Sequence, residues 1–455
     1  MSRFPHAMLK EQVQAADSSV TWREPPKWLP NMLHSLAYRN YLLLLIGQIS
    51  NSLSLWMDLV ARPILVIAIT GSAVQLGLIT MVRGIPMMVL GPIAGLLADR
   101  MDRRILMLIS KVGGLIVNVG FAALIISGQM QMWHVYVTAI LRSVLNAFDQ
   151  PARQALLPAL VPPRLLMNAV ALNQGTMQVT RIISASAAGV LITFWTVAFG
   201  FGDADPRAFG GVYLAIALVS IIAVVATLML HVPQGGQVER TADSWVTSFV
   251  QGFRFAWHNP VILGVLILFA VQSTFGLPYL QVFVPWLAIK VMGMGPEGAG
   301  LLIAVSGVGS LVGAGMIAAR GHLLRRRGLI MIVGLALFGA ALAALGLTSA
   351  LPPVSIMGQT LPLLPLVMIS LVGIGQTVIM AMNNMLLLES TPNELRGRVM
   401  SFQSLDRGFT TVGSGAGGFA IALIGGPLAL ALFGALCAIG AISAGVFSPG
   451  LRKHD

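Results

Sequence analysis

Gln48, Asn51, Leu55, Asp58 and Arg62 step through an oily stretch by three, four, three and four residues, so on a helix they line one face. A carboxylate and a guanidinium four residues apart on that face can pair. Inside a bilayer such a pair has two uses. It neutralises itself as a structural unit, or Asp58 takes up a proton and releases Arg62. The stripe predicts a polar cavity in front of this helix. Arg83, Arg142, Arg181 and Arg407 sit in equally apolar surroundings, as does a second acid, Asp406. Arg142 lies about ten residues into its run, close to mid-bilayer at ~1.5 Å per residue. Asp58, Arg62, Arg142 and Asp406 are the candidate proton-coupling groups.

Other apolar runs carry short polar faces: Gln174, Gln178 and Arg181; Gln272, Phe275 and Tyr279; Gln376, Met380 and Asn383; Gln403, Asp406 and Thr410. With Gln48, Asn51 and Arg83 they form the candidate substrate cavity. A single Gln or Asn in a membrane helix also serves as glue between helices. Methionines such as those of VIMAMNNMLL serve as packing, or as a permissive pocket wall. Five intramembrane cations face two acids. If all of them line the cavity, it prefers an anionic or catecholate-like solute to a cationic drug. Long arginines near helix ends can snorkel instead.

The elements holding these residues follow from composition. Of 455 residues, 56% are hydrophobic and 10% charged, against about 25% charged in soluble domains. So little charge cannot coat a water-soluble globule, and the solvent must be largely lipid. Apolar runs of ~20 residues cross a bilayer as helices. Twelve are predicted: 41–68, 74–98, 105–127, 132–150, 166–196, 209–230, 260–289, 298–319, 328–349, 361–388, 396–423 and 426–447. The expected fold class is an all-α membrane protein, twelve transmembrane helices in two six-helix halves. Strand barrels need alternating ten-residue segments, which are absent.

Twenty-one of the 28 Lys and Arg residues fall in the two tails and the even-to-odd connections, while the opposite connections hold Arg207 and Lys290. The positive-inside rule then places both termini in the cytoplasm. It also accounts for the net charge of +12 without nucleic acid. Trp133, Trp195 and Trp286 fall at the predicted outer boundary, where indoles favour the interface. The expected organisation is a cytoplasmic tail (1–40), a first half (41–230), a cytoplasmic linker (231–259), a second half (260–447) and a tail (448–455). The first forty residues show no signal peptide pattern. In the linker, Phe249, Phe253 and Trp257 at four-residue spacing predict an amphipathic surface helix. Pro163/Pro392, Leu166/Leu395, Gln174/Gln403 and Gly189/Gly418 are each 229 residues apart, a parallel repeat of the kind transporters use.

GLLADRMDRRILML (95–108) resembles the loop-2/3 signature of the major facilitator superfamily. TGSAVQLGL, DQPARQALLPALVPP, GFRFAWHNP and ELRGRVMS fit its bacterial efflux branch of enterobactin-type siderophore exporters and macrolide-efflux proteins. The resemblance runs from Tyr41 to about Ser448. It implies a monomeric transporter of the bacterial inner membrane working by alternating access. It also implies a cytoplasmic gate of Asp99, Arg100, Arg103, Asp149 and Arg396. Asp99 would meet the N-terminus of the helix that PNELRGR (392–398) begins, where a carboxylate gains about 0.3–1 kcal/mol from the dipole when exposed and up to ~2 when partly buried. Arg103 would reach Asp149. Two departures stand out. The signature's second glycine is Asp102, and the Gly-Pro of related fifth helices is Ser184-Ala185.

The predicted function is export of a small amphipathic, anionic, siderophore-like solute, coupled to protons. The alternatives are multidrug or macrolide efflux of cationic or neutral drugs, and an uptake or receptor-like protein of the same fold. An enzyme is not expected, since HExxH, GxSxG and GxxxxGK[ST] are all absent. No cofactor or metal is expected, with one cysteine, Cys437, and scattered histidines. The partners are the solute, protons and the bilayer.

Overall fold

The computed structural model describes residues 26, 28, 30–202, 205–231, 254–320, 326–352, 354–356, 359–392, 405–447 and 449–452. The first half comprises α1 (Arg39–Thr70), α2 (Ala73–Arg100), α3 (Arg103–Ile126), α4 (Met132–Leu156), α5 (Leu166–Phe199) and α6 (Gly210–Met229). The second comprises α7 (Pro260–Val291), α8 (Gly295–Arg320), α9 (Arg327–Thr348), α10 (Leu363–Glu389), α11 (Asp406–Ile424) and α12 (Gly426–Phe447). Ten of these twelve are long and apolar enough to cross a membrane. The other two are α4 and α11, which carry Arg142, Asp149 and Arg153, and Asp406 and Arg407. The fold is all-α as expected, with one short hairpin added between α9 and α10, where strands β1 (Val354–Ile356) and β2 (Gln359–Leu361) pair antiparallel. Residues 249 and 253 of the expected surface helix lie outside the described residues, and 254–258 are helical.

Local chemistry sets the helix ends. Asp102 caps α3, accepting from Arg104 N at 2.8 Å and Ile105 N at 3.3 Å, so the departure from the loop signature supplies an N-cap. Asn259 caps α7 in the same way, ahead of Pro260 in the first turn. α1 ends at Gly71 with φ +58°, a left-handed cap that suits glycine. α7 is irregular: π turns at Gln272–Gly276 and Leu287–Val291 flank a 3-10 turn at Leu277–Leu280. Pro278 and Pro285 lie between them and have no N–H to continue the ladder. Such π turns recur at functional sites.

The halves meet along two seams. On α2–α11, a methyl added at Gly77 would lie 2.8 Å from Gly418 Cα, and one at Gly84 would strike Thr411. On α5–α8, a methyl at Gly189 would lie 2.8 Å from Glu297 Cα, one at Gly300 would strike the Ala185 carbonyl, and one at Gly307 would lie 2.6 Å from Ile182. The seams are copies of one another. Ile182, Ala185 and Gly189 map onto Thr411, Ser414 and Gly418 at the repeat spacing of 229, and Gly77 and Gly84 map onto Gly300 and Gly307 at 223. Both seams lie toward the end where α1 stops and α2 starts. Toward the opposite, arginine-rich end, methyls at Gly91, Gly175 and Gly315 would meet nothing within 4 Å among the described residues. The halves therefore converge at the far end; toward the basic end the α5–α8 seam opens, whereas on α2–α11 a methyl at Gly408 would still lie 2.8 Å from Met88 Sδ.

Candidate functional site

Asp58 and Arg62 form the i, i+4 pair on α1, with Arg62 Nη2 2.8 Å and Nε 3.0 Å from the carboxylate. The rest of the site comes from elsewhere in the first half. Arg83 of α2 sits 3.3 Å from Asp58, and Tyr213 of α6 donates to it at 3.1 Å. Arg62 Nη1 donates to the Val135 carbonyl at 2.9 Å and to Thr138 at 3.0 Å, both on α4. Its guanidinium lies 5.0 Å from the Phe121 ring centre of α3. This corrects the expected geometry. At Asp58 and Arg62 the α1 stripe faces α2, α3, α4 and α6 within one half, and both side chains are buried. Helical periodicity fixes which residues share a face but leaves open which neighbour lies opposite.

Arg142 is buried beside this cluster and makes no hydrogen bond or ion pair among the described residues. Gly114 gives it room, because a methyl there would run into its guanidinium. Gln48 is also buried, and its Oε1 has no partner among the described residues, while Asn51 is half-buried. Ordinary polar contacts account for other α1 residues: Ser52 bonds Thr180 at 2.6 Å, and Ser54 bonds Ser220 at 3.3 Å.

At the basic end, Asp149 lies 3.3 Å from Lys111 and 3.8 Å from Arg153, all three buried. These are ion-pair distances without hydrogen-bond geometry. The expected Arg103–Asp149 contact is replaced by this cluster. Arg103 donates to the Ala155 carbonyl at 3.1 Å, at the C-terminal end of α4. Arg104 does the same for α6, at 2.6 Å to the Leu228 carbonyl. The loop cations thus satisfy orphan carbonyls and complement two helix dipoles within the first half. Lys111 and Arg153, counted as surface cations in the sequence, are interior groups. Asp99 and Arg100 end α2, and their side chains lie outside the described residues, as does all of Arg396.

Near this end Arg407 of α11 donates to Gln150 of α4, a hydrogen bond between the halves. Beside it, Ser273 in the first π turn of α7 donates to Asp406. Gln403 lies outside the described residues.

Midway along the α5–α8 seam, Arg181 reaches into the second half. Its Nη2 lies 3.0 Å from Ser306 Oγ of α8 and 3.4 Å from Tyr279 OH of α7. Tyr279 OH lies 2.8 Å from Ser306 Oγ and donates to Gln376 of α10 at 3.1 Å. On the other side, the Arg181 guanidinium lies 5.2 Å from the Trp56 ring centre of α1. Five helices meet at this knot. Arg181, Tyr279 and Gln376 of the expected cavity are brought together here. Gln174 is exposed and Gln178 half-buried on the same helix; Gln272 is buried in the π turn; Asn383 is buried with Oδ1 unpartnered among the described residues.

Sequence reasoning missed Tyr213, Lys111, Arg153, Trp56, Ser306 and Gln150 as members of these clusters. Tyr213 carried a usable signal, as a phenol in a strongly apolar run that needs a partner when buried. Lys111, eight residues inside its helix, carried another. Ser306 and Gln150 carried none.

Comparison with known proteins agrees with this architecture. The chain is 27% identical over 303 residues to the uncharacterized MFS-type transporter YfiS of Bacillus subtilis, covering 65% of this chain and 69% of that protein. It is 24% identical to the multidrug efflux pump Tap of Mycolicibacterium fortuitum, covering 91% and 97%. It is 25% identical to the enterobactin exporter EntS of Citrobacter koseri, covering 82% of each. Among solved structures, a D-xylose-proton symporter superposes with a TM-score of 0.69 over 91% of this chain and 99% of its own, at 14% identity, a likeness of fold. These relatives and neighbours are transporters. The family model of the Major Facilitator Superfamily matches residues 44–409, most of a chain already seen as two repeated bundles joined along mirrored seams. The chain is a multi-pass membrane protein and belongs to the Major Facilitator Superfamily.

Proposed function

We propose that this protein exports a small amphipathic anionic solute across the bacterial inner membrane by alternating access, energised by the proton gradient. The carrying observation is the charge balance of the first half: Arg62, Arg83 and Arg142 surround Asp58 alone. An interior with that surplus repels organic cations and attracts anions. The membrane potential assists outward movement of an anion by about 2.3 kcal/mol per charge per 100 mV. Efflux relatives, one of them an exporter named for enterobactin, support the direction.

With the basic end in the cytoplasm, the shut far-end seams correspond to a state ready to load from the cell interior. The halves (41–230 and 260–447) then rock about the seams. Asp58 carries the proton in this reading, and its protonation frees Arg62 and Arg83 to rearrange. Asp406, whose carboxylate has Ser273 as its hydrogen-bond donor, is the second proton-coupling acid. The protein acts as a monomer with both termini cytoplasmic.

The test uses everted membrane vesicles from a strain lacking its own exporters, energised by respiration, with labelled 2,3-dihydroxybenzoate and ethidium as probes. Accumulation of the catecholate that collapses with a protonophore is the expected outcome. Accumulation of ethidium alone would replace the anion reading with multidrug efflux. Catecholate accumulation only in right-side-out vesicles would reverse the direction.

A further inference from the structure

Arg181 is 4% exposed and has no carboxylate partner among the described residues. Its Nε, and the Trp56 Nε1 across from it, are buried donors without a hydrogen-bond partner there. A buried guanidinium lacking a counter-ion is costly, and two unfilled N–H groups beside it add to the cost. The surroundings offer an aromatic face in Trp56 at 5.2 Å and a phenol in Tyr279, whose ring meets Phe338 edge-on at 6.3 Å. A positive centre, two free donors and flat apolar walls describe the complement of a planar aromatic anion. A carboxylate or phenolate on such a ring would accept from both donors, while the ring stacks.

The position of Arg181 gives that binding a second effect. Both of its side-chain hydrogen-bond partners, Ser306 and Tyr279, belong to the opposite half, as does Gln376, which Tyr279 bonds in turn. They lie beside the contacts of Gly300 with Ala185 and Gly307 with Ile182 that keep the far end shut. Opening that end strips Arg181 of its neutral hydroxyl partners. An anion replaces them with charge-assisted bonds, which are roughly twice as strong. A ligand favouring the open arrangement shifts the population toward it.

We infer that Arg181 is an anion-exchanged latch: a planar aromatic acid takes Arg181 from Ser306 and Tyr279 and thereby releases the far-end seam. This rests on the anion-export reading and assigns its recognition element.

The test is calorimetric titration of the detergent-solubilised full chain with salicylate, and with salicylamide as its neutral isostere. Spin labels on α5 and α8 report the far-end distance. Wild type is expected to prefer salicylate at least tenfold, with the far-end distance lengthening on binding. Arg181→Gln should lose that preference while still binding salicylamide, and Arg181→Lys should keep part of it. Ser306→Ala, which removes a competing partner with little change of shape, should bind salicylate several-fold more tightly. Undiminished salicylate preference in Arg181→Gln overturns the latch even if vesicles still export anions. A Ser306→Ala variant with weaker salicylate binding overturns it equally. Loss of anion export in vesicles, with the preference intact, would instead remove the transport reading and leave the binding site.

Discussion

Replacing Asp58 by Asn tests both uses of the buried cluster. The carboxylate holds Arg62 at 2.8 Å and Arg83 at 3.3 Å and accepts from Tyr213 at 3.1 Å. The amide in its place would keep the shape and one acceptor but leave guanidiniums buried without a counter-charge. Breaking a buried pair from one side costs about 3–5 kcal/mol. For a unit the size of one half, each kcal/mol moves the thermal midpoint by about 2–4 °C, so Asp58→Asn should lower it by roughly 6–20 °C. Differential scanning fluorimetry in detergent reads this directly. Removing the carboxylate together with both arginines it holds, as in Asp58→Leu with Arg62→Met and Arg83→Met, should recover at least half of the loss, because apolar replacement of a buried ion pair is far less costly than orphaning one member. A midpoint within ~3 °C of wild type, about 1 kcal/mol, would show that the carboxylate does not neutralise the arginines. Below its midpoint, the same variant reports on coupling. Proton-driven accumulation in vesicles should disappear, and undiminished accumulation would remove Asp58 as the proton carrier.

Two further outcomes probe the seams and the loop. Gly300→Ala places a methyl against the Ala185 carbonyl; overpacking of about 1–3 kcal/mol should widen the α5–α8 distance at the far end and slow transport, and unchanged spin-label distances would contradict the seam geometry. Arg104→Ala removes the donor to the Leu228 carbonyl; the loss of about 0.3–1 kcal/mol at an exposed helix end should lower the midpoint by a few degrees and leave transport intact. Abolished transport in a folded Arg104→Ala protein would give this arginine a role beyond capping α6.

The helices were legible because hydropathy is a local property, and so was the Asp58–Arg62 pair, since i, i+4 neighbours meet whatever surrounds the helix. The partners were not. Arg83 and Tyr213 lie 25 and 155 residues from Asp58, and only the packing of α1 against α2 and α6 brings them to it. The same cause redirected Arg103: its charge was read from the loop, but its partner depended on where α4 ends. Lys111 and Arg153 were assigned to the surface by tallying cations between runs, whereas their helices carry them into the bundle to meet Asp149. α4 and α11 fall short in apolarity because they hold the charged residues of the two clusters. The β1–β2 hairpin was invisible, since three-residue strands leave no periodic trace.

The mirrored glycine seams have an evolutionary corollary. α2 of the first half grips α11, while its copy α8 is gripped by α5, the copy of α11. Each half therefore carries both the groove and the ridge of the joint, the condition for an isologous two-fold interface. A single ancestral six-helix unit with these glycines would already have been complementary to itself. Two such units, side by side and parallel in the bilayer, would have formed the same two-bundle joint before gene fusion tied them into one chain.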